Sequence, residues 1–426
     1  MVGIAVLGFG TVGSGVVEVI RRNGEGIREK AGKKIEVRKI LDIRNFEGHP
    51  EQGLITGDPE AVFGDQAVSI IVETIGGVGA AYELTKRALM SGRSVVTSNK
   101  ELVSLKGPEL IELARENKVS YLFEASVGGG IPIIRPLTQC LAANEVYEIT
   151  GILNGTTNYI LTSMKKDGIT FNDALEKARE NGYTEADPSA DIEGTDACRK
   201  ISILASIAFN RYLPPEDIYT EGISAISRED LEFAGRAGCV VKLIASAYRK
   251  RRCNGEPAFG FREKGAISAR VCPVMFQAGH PLANVDDVFN AILVKGDITG
   301  EVMFYGKGAG KYPTASAVAA DIIDIVKHGG KVISNTWSMG SPDDLANRED
   351  VSTRLYIRVR ADDACKKSIS GIFGNVDFIP VDKDGADGEI AFITPFGREG
   401  ALFAQAEMLK KADGGIPVLG VIRFGL

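Results

Sequence analysis

VGIAVLGFGTVGSG, residues 2–15, decides the fold. An apolar, strand-like run of six residues leads into a turn carrying Gly8, Gly10 and Gly13, and a helix-like run follows at residues 14–22. Gly8 permits a tight turn. Gly10 lets backbone approach a pyrophosphate, Gly13 allows helix to pack closely on strand, and the helix N-terminus offers bare N–H groups and a positive dipole. The GxGxxG spacing alone is weak evidence, but a strand before it and a helix after it favour a dinucleotide loop over a merely structural glycine turn.

Outward from that loop, strand-like and helical runs alternate up to about residue 125: IEVRKILD, VSIIVETI, AYELTKRALMSG, SVVTSN, ELIELARENK and SYLFEA. This is a parallel βα layout, and its strands lack strict polar alternation because helices cover both faces. IEVRKILD closes on Asp42, the position that contacts the adenine ribose hydroxyls in such folds. Two residues on, Arg44 offers a two-donor fork suited to a 2′-phosphate. The pair leaves NAD and NADP open, with a solvated ion pair at a strand end as the plainer alternative.

Past Gly128 the pattern becomes a mixture of strands and helices, with Pro132 and Pro136 at the boundary. The expected fold class is α/β. A Rossmann-type parallel sheet at residues 1–130, completed by about 300–330, precedes an α+β catalytic and dimerisation domain at 131–299. PTASAVAADIIDIVKH, residues 313–328, reads as an amphipathic helix with proline in its first turn. NTWSMGSPDDLANRED, residues 335–350, is polar and aperiodic and reads as a linker. A small α+β domain at 351–426 ends the chain, and no internal repeat is seen.

Bulk composition excludes several classes of function. A chain of 426 residues is too long for one ordinary core, and a net charge of −6 offers no basic surface for nucleic acid. The opening stretch is apolar, but its glycines break any membrane helix or signal core, and no basic segment precedes it. Six cysteines without a CxxC pair fit reduced thiols, so a cytoplasmic location without membrane attachment is expected. With little chain ahead of the loop, no fused kinase is expected either.

Hydride-transfer enzymes often move protons through histidine, but His49, His280 and His328 lie in ordinary loop or helix settings. The densest ionisable cluster is instead ENGYTEADPSADIEGTDACRKISILASIAF, residues 180–209. A helix beginning near Thr195 puts Asp196 and Lys200 on one face, four residues apart, ahead of an apolar run. Lysine, with an ordinary pKa of about 10.4, is an ammonium suited to protonating an alkoxide as hydride reaches a carbonyl. The plainer alternative is a surface salt bridge at the same spacing. Lys100 follows the strand SVVTSN, at the end where α/β sheets bind ligands. EASVGGGIP, residues 124–132, is too glycine-rich for helix or strand, and its exposed carbonyls suit a small cation or, equally, an interdomain hinge.

Together the strings GFGTVG, ETIGG, TSNKELV, EASVGGGIPII, GILNGTTNYIL, GYTEADPSADIEGTDACRK and YGKGAGKYPTASAV resemble the homoserine dehydrogenase family, in order from residue 2 to about 328. The resemblance implies reversible NAD- or NADP-dependent interconversion of L-homoserine and L-aspartate 4-semialdehyde, on the route to threonine and methionine. It implies Lys200 as acid/base, Lys100 as a second lysine near substrate and nicotinamide, and Asp196 and Asp191 as residues orienting the substrate hydroxyl or the lysines. Gly182 and Glu185 would hold the substrate ammonium. Thr11 and Val12 in the loop, Thr74 in ETIGG and Gly310 would touch the cofactor. The resemblance further implies Na+ on the carbonyls of Glu124, Val127, Gly129 and Ile131. The tail loosely resembles an ACT domain through STRLYIRVRADD. Asp362, Asp363, Ala364 and Cys365 stand where that family has an Asp-Pro-Gly turn, so assembly into a homodimer or homotetramer is expected of it rather than threonine inhibition.

Two rival readings share parts of this pattern: a sugar or semialdehyde dehydrogenase of the same layout, and a nucleotide-binding sensor with a regulatory tail. Oxidation of homoserine against sugar alcohols separates the first. The second has no use for Lys100, Glu185, Asp196 and Lys200.

Overall fold

The computed structural model describes the whole chain except residues 185, 250–251, 254–255, 258–266, 330, 334–336, 381–387, 412–414 and 426. The chain forms two compact units. The first comprises residues 1–145, 202–215 and 304–340, and the second residues 146–201, 216–303 and 341–426.

The first unit is built on six parallel strands: β1 Val2–Leu7, β2 Ile35–Leu41, β3 Ile55–Thr56, β4 Val68–Glu73, β5 Ser94–Thr97 and β6 Tyr121–Leu122. They lie in the order β3-β2-β1-β4-β5-β6, so the chain reverses direction beside β1, where the carboxyl ends of the strands leave a crevice for a ligand. Ile4, Ala5, Val6 and Leu7 are fully buried, as the missing polar alternation requires. Val16, Val17 and Ile20 of the helix Thr11–Arg22 share one core with Ala315, Val318 and Ile322 of the helix Lys311–Lys327. The two helices meet at Gly15, where a Cβ would stand 3.0 Å from the Lys311 carbonyl oxygen and 3.2 Å from Ala315 Cβ. The helix read at residues 313–328 therefore packs on the nucleotide-loop helix. No helix among the described residues is long and apolar enough to cross a membrane.

The second unit holds one mixed sheet. Within this unit its main path runs Phe289–Gly296, Val146–Ile152, Cys239–Arg249, Ile267–Gln277, Val418–Phe424, Ser352–Arg360, Glu389–Ile393, Asp377–Phe378. Its spine is the long antiparallel pair in which Ile267 faces Arg249 at one end and Gln277 faces Cys239 at the other. The helix Gly155–Asp167 packs on this sheet.

The tail is a β-α-β-β-α-β unit with its own core of Leu355, Ile357, Val359, Ile369, Phe373, Phe392, Leu402 and Leu409. Its first strand pairs antiparallel with both the last and the third. The tail does not stand alone, because Val418–Phe424 also pairs in parallel with Ile267–Gln277, Val274 facing Arg423 and Met275 facing Phe424. Buried Arg423 binds Glu399 at 2.8 Å and Glu221 at 2.5 Å, and Arg358 binds Asp230 at 2.8 Å. Residues 337–350 contain two short 3-10 turns and isolated bridges at Ser338 and Leu345 but no helix or strand, as a linker would, yet Trp337 is buried. A Cβ on Gly107 would lie 2.3 Å from the Trp337 indole, so the glycine makes room for that anchor.

Candidate functional site

In the first unit Gly8 and Gly13 take the turn and close-packing roles their spacing predicts. Gly8 takes φ +89°, and a Cβ on Gly13 would lie 1.9 Å from the Gly8 carbonyl oxygen and 2.8 Å from Thr74 Oγ1. Gly10 caps the helix Thr11–Arg22 with no side-chain bond, which leaves the first-turn N–H groups directed at the mouth of the loop. Thr11 is exposed and Val12 half-buried against the core. Asp42 Oδ2 accepts from Phe9 N at 2.6 Å, while Arg44 donates to Asp42 from its backbone N at 2.9 Å, from Nε at 3.0 Å and from Nη2 at 2.7 Å. The Arg44 hydrogen bond holds the Asp42 carboxyl down at about 2, so it is ionised at any physiological pH. The guanidinium passes 4.0 Å from the place of a Cβ on Gly10. Asp42 and Arg44 thus form one bonded pair beside the loop.

At the next strand ends, Thr74 Oγ1 donates toward the Leu7 and Gly8 carbonyls at 3.0 and 2.8 Å. Asn99 caps the helix Lys100–Glu116 by accepting from Leu102 N, which places half-buried Lys100 at the first helical position. Gly310, at φ +124°, precedes the helix Lys311–Lys327 without a side-chain cap. Lys311 and Tyr312 both bind Glu18 of the nucleotide-loop helix.

The glycine-rich segment is buried from Glu124 to Gly129 and tightly fitted. A Cβ on Gly129 would meet the Gly308 carbonyl oxygen at 2.2 Å, and one on Gly128 would meet that of Ile131 at 2.3 Å. Both Glu124 carboxylate oxygens are taken by the N–H groups of Ile133, Ile134 and Arg135, at 2.6, 2.9 and 2.7 Å, so this residue has only its carbonyl to offer a cation. Glu124 N donates to Asp321, a fully buried carboxyl that burial pushes up to about 8 and that also holds Arg135 at 2.6 Å. Gly128 leaves the Ile131 carbonyl uncovered, and such oxygens suit a hard cation. Packing against residues 306–313 accounts for the glycines equally well.

The second unit carries the lysine and acid cluster. Lys200 and Asp196, on the helix Thr195–Ala208, are 7 % and 4 % exposed, so the pair is no surface salt bridge. Lys200 Nζ donates to Asp196 Oδ2 at 2.7 Å and to the Leu153 carbonyl oxygen at 2.7 Å. Asn154 Nδ2 donates to Asp191 Oδ1 at 2.6 Å and Asp196 Oδ2 at 3.0 Å, while its Oδ1 caps the helix Gly155–Asp167 through Thr157 N. Asn154 was missed as a site residue. Its signal was an N-cap residue inside NGTTNYIL, and only the fold shows that its amide joins two carboxylates. Gly182, at φ +69°, ends the helix Phe171–Glu180 by donating to the Arg179 carbonyl, a role that itself explains the glycine. Glu185 lies outside the described residues.

Each histidine has a local role. His49 and His280 accept from Glu51 N and Leu282 N, and His328 bonds the Asp324 carbonyl at its helix end. Among the described residues no group of three or more His, Cys, Asp or Glu is placed to hold a metal ion.

A family model described as homoserine dehydrogenase matches residues 132–323, and one described as homoserine dehydrogenase, NAD binding domain, matches residues 8–124. Homoserine dehydrogenase of a Synechocystis strain is 38 % identical over 447 residues, covering 99 % of this chain and 98 % of that protein. The Corynebacterium glutamicum enzyme is 41 % identical over 367 residues, covering 85 % of this chain and 80 % of that protein. The crystal structure of a homoserine dehydrogenase from Thiobacillus denitrificans superposes with a TM-score of 0.86 at 36 % identity, covering 100 % of this chain and 98 % of that one. With a dinucleotide loop at the head of a parallel sheet, a buried lysine and acid cluster, and full-length likeness of this degree, the chain belongs to the homoserine dehydrogenase family.

Proposed function

We propose that the chain interconverts L-homoserine and L-aspartate 4-semialdehyde with Lys200 as acid/base. The buried contact of Lys200 with Asp196 and the Leu153 carbonyl carries this reading. When bound, the nicotinamide supplies or accepts the hydride. In the reducing direction the Lys200 ammonium gives its proton to the alkoxide oxygen, and in the oxidising direction the Lys200 amine takes the hydroxyl proton. Asp196 and Asp191, joined by Asn154, orient that lysine and the substrate hydroxyl, Lys100 acts as the second lysine, and Gly182 and Glu185 receive the substrate ammonium.

Gly8, Gly10, Thr11, Val12, Gly13, Thr74, Lys100 and Gly310 hold the dinucleotide in this reading. Because Asp42 is already held by Arg44 and Phe9 N, we assign the adenosine 2′ position to Arg44, favouring NADP over NAD. A hyperthermophilic archaeal homoserine dehydrogenase in complex with NADPH, 30 % identical with a TM-score of 0.61 over 76 % of this chain, supports a nicotinamide dinucleotide as the cofactor. The carbonyls of Glu124, Val127, Gly129 and Ile131 would hold Na+, which would stiffen that loop. Residues 1–130 with about 300–330 serve as the dinucleotide domain, 131–299 as the catalytic and dimerisation domain, 335–350 as the connection and 351–426 as an ACT-like assembly domain. The working form is a cytoplasmic homodimer or homotetramer. The deciding test is steady-state oxidation of homoserine by Lys200→Ala: a folded variant that binds dinucleotide and turns over normally removes the assigned role.

A further inference from the structure

We propose that Glu73 is a positioning residue that ties the loop at residues 74–77 to the helix start carrying Lys100. Glu73 is fully buried at the end of β4, immediately before Thr74. An acid there is costly, and an apolar side chain would fill the space more cheaply. Its oxygens divide between two elements. Oε1 accepts from Ile75 N at 2.7 Å, and Oε2 accepts from Thr97 Oγ1 at 2.5 Å. Thr97 Oγ1, its proton given to Glu73, accepts from Asn99 N at 2.9 Å. Asn99 Nδ2 then returns to the carbonyl oxygens of Ile75 at 3.0 Å and Gly77 at 2.6 Å. The bonds close a ring from Glu73 through Ile75, Asn99 and Thr97 back to Glu73.

Two corners of the ring adjoin the site. Ile75 follows Thr74, whose hydroxyl is bonded to the nucleotide loop, and Asn99 caps the helix that begins at Lys100. Glu73 sets the relative placement of the two ligand-facing groups without touching either ligand. This rests on the reading of Thr74 and Lys100 as cofactor and substrate contacts.

The experiment compares Glu73→Ala, Glu73→Gln, Thr97→Val and Lys100→Met in the full chain, reading dinucleotide Kd, kcat, homoserine KM and melting temperature. Misplacement by a fraction of an ångström lowers rate steeply, so Thr97→Val, which spares the Glu73 to Ile75 bond, should lower kcat about tenfold with dinucleotide Kd within about twofold. Glu73→Ala should impair both constants, and Glu73→Gln, able to accept from Ile75 and donate to Thr97, should recover to within about threefold of wild type. If Glu73→Ala and Thr97→Val melt lower but keep kcat, KM and Kd, Glu73 is only structural and the proposal falls. Should Glu73→Ala not fold, Thr97→Val alone decides. Lys100→Met with unchanged kinetics would overturn both the underlying reading and the link, whereas Lys100→Met impaired beside a normal Thr97→Val overturns the link alone.

Discussion

Two ion pairs of equal length do opposite work in this molecule. Arg44 meets Asp42 at 2.7 Å, and Lys200 meets Asp196 at 2.7 Å. The Arg44 side chain is 57 % exposed and that of Lys200 is 9 % exposed. The first pair has its guanidinium in water, where salt screens it, although the Asp42 carboxylate it holds is only 6 % exposed, so a phosphate reaching the loop meets Arg44 from the solvent side. The second pair sits where field is weakly screened and an orphaned charge costs about 3–5 kcal/mol, so its proton cannot move without the neighbours responding. Distance says that two charges attract, and burial says whether the attraction is adjustable or binding on the chemistry.

The contrast breaks most decisively at the buried pair. Lys200→Ala should lower kcat by about a thousandfold with dinucleotide Kd unchanged, and Lys200→Arg should not recover it, since a guanidinium keeps its proton. Stopped-flow turnover with a parallel fluorescence titration reads both. A third environment sharpens the comparison: Glu73 is a buried acid bonded by neutral donors only, and burial pushes it up to about 7. A folded-state pKa above the ordinary 4.5 means that its contribution to stability is full below about 4.5 and is lost as pH rises through about 7. Chemical unfolding at about pH 5 and about pH 8 should therefore show Glu73→Gln gaining on wild type by about 2–3 kcal/mol across that interval. A pH-independent difference would put the acid's titration elsewhere.

Asn154→Ala tests how buried Asp196 and half-buried Asp191 stay together. Losing the cap costs about 1 kcal/mol, and kcat should fall about tenfold as Asp191 and Asp196 separate. Asn154→Asp, which keeps the cap but sets a third carboxylate against the other two, should restore stability more than turnover. The exposed pair gives the smallest effect. Arg44→Ala should lower the preference for NADP over NAD by about tenfold in low salt and less at high ionic strength. Relative kcat/KM for the two dinucleotides at two salt concentrations decides it.

Local signals were legible in the sequence. The glycine loop announced strand, turn and helix because each glycine answers a contact within a few residues or at the next strand end. The i to i+4 spacing put Asp196 and Lys200 on one face. Whether that face was wet or dry depends on Leu153 and Asn154, more than forty positions earlier in sequence, and no periodicity carries that. Glu73 was hidden inside an apolar strand, where a carboxylate reads as an end marker until its partners on β5 are known. The tail read as a separate body because its own pattern is complete. Nothing in PVLGVIRFG announces that this strand also joins the Ile267–Gln277 strand.

That joining strand has a consequence for biosynthesis. Residues 418–424 emerge from the ribosome after the other described strands of the sheet, so until then the Ile267–Gln277 strand has, among the described residues, Tyr219–Thr220 and a single bridge to Leu345 along part of its outer edge. A nascent chain paused before residue 418 presents hydrogen-bonding groups to any neighbour on the same message, the situation in which strand exchange and aggregation begin. Slow translation of the last segment should therefore trade yield of folded protein for entangled copies, although the dinucleotide sheet is complete by residue 122.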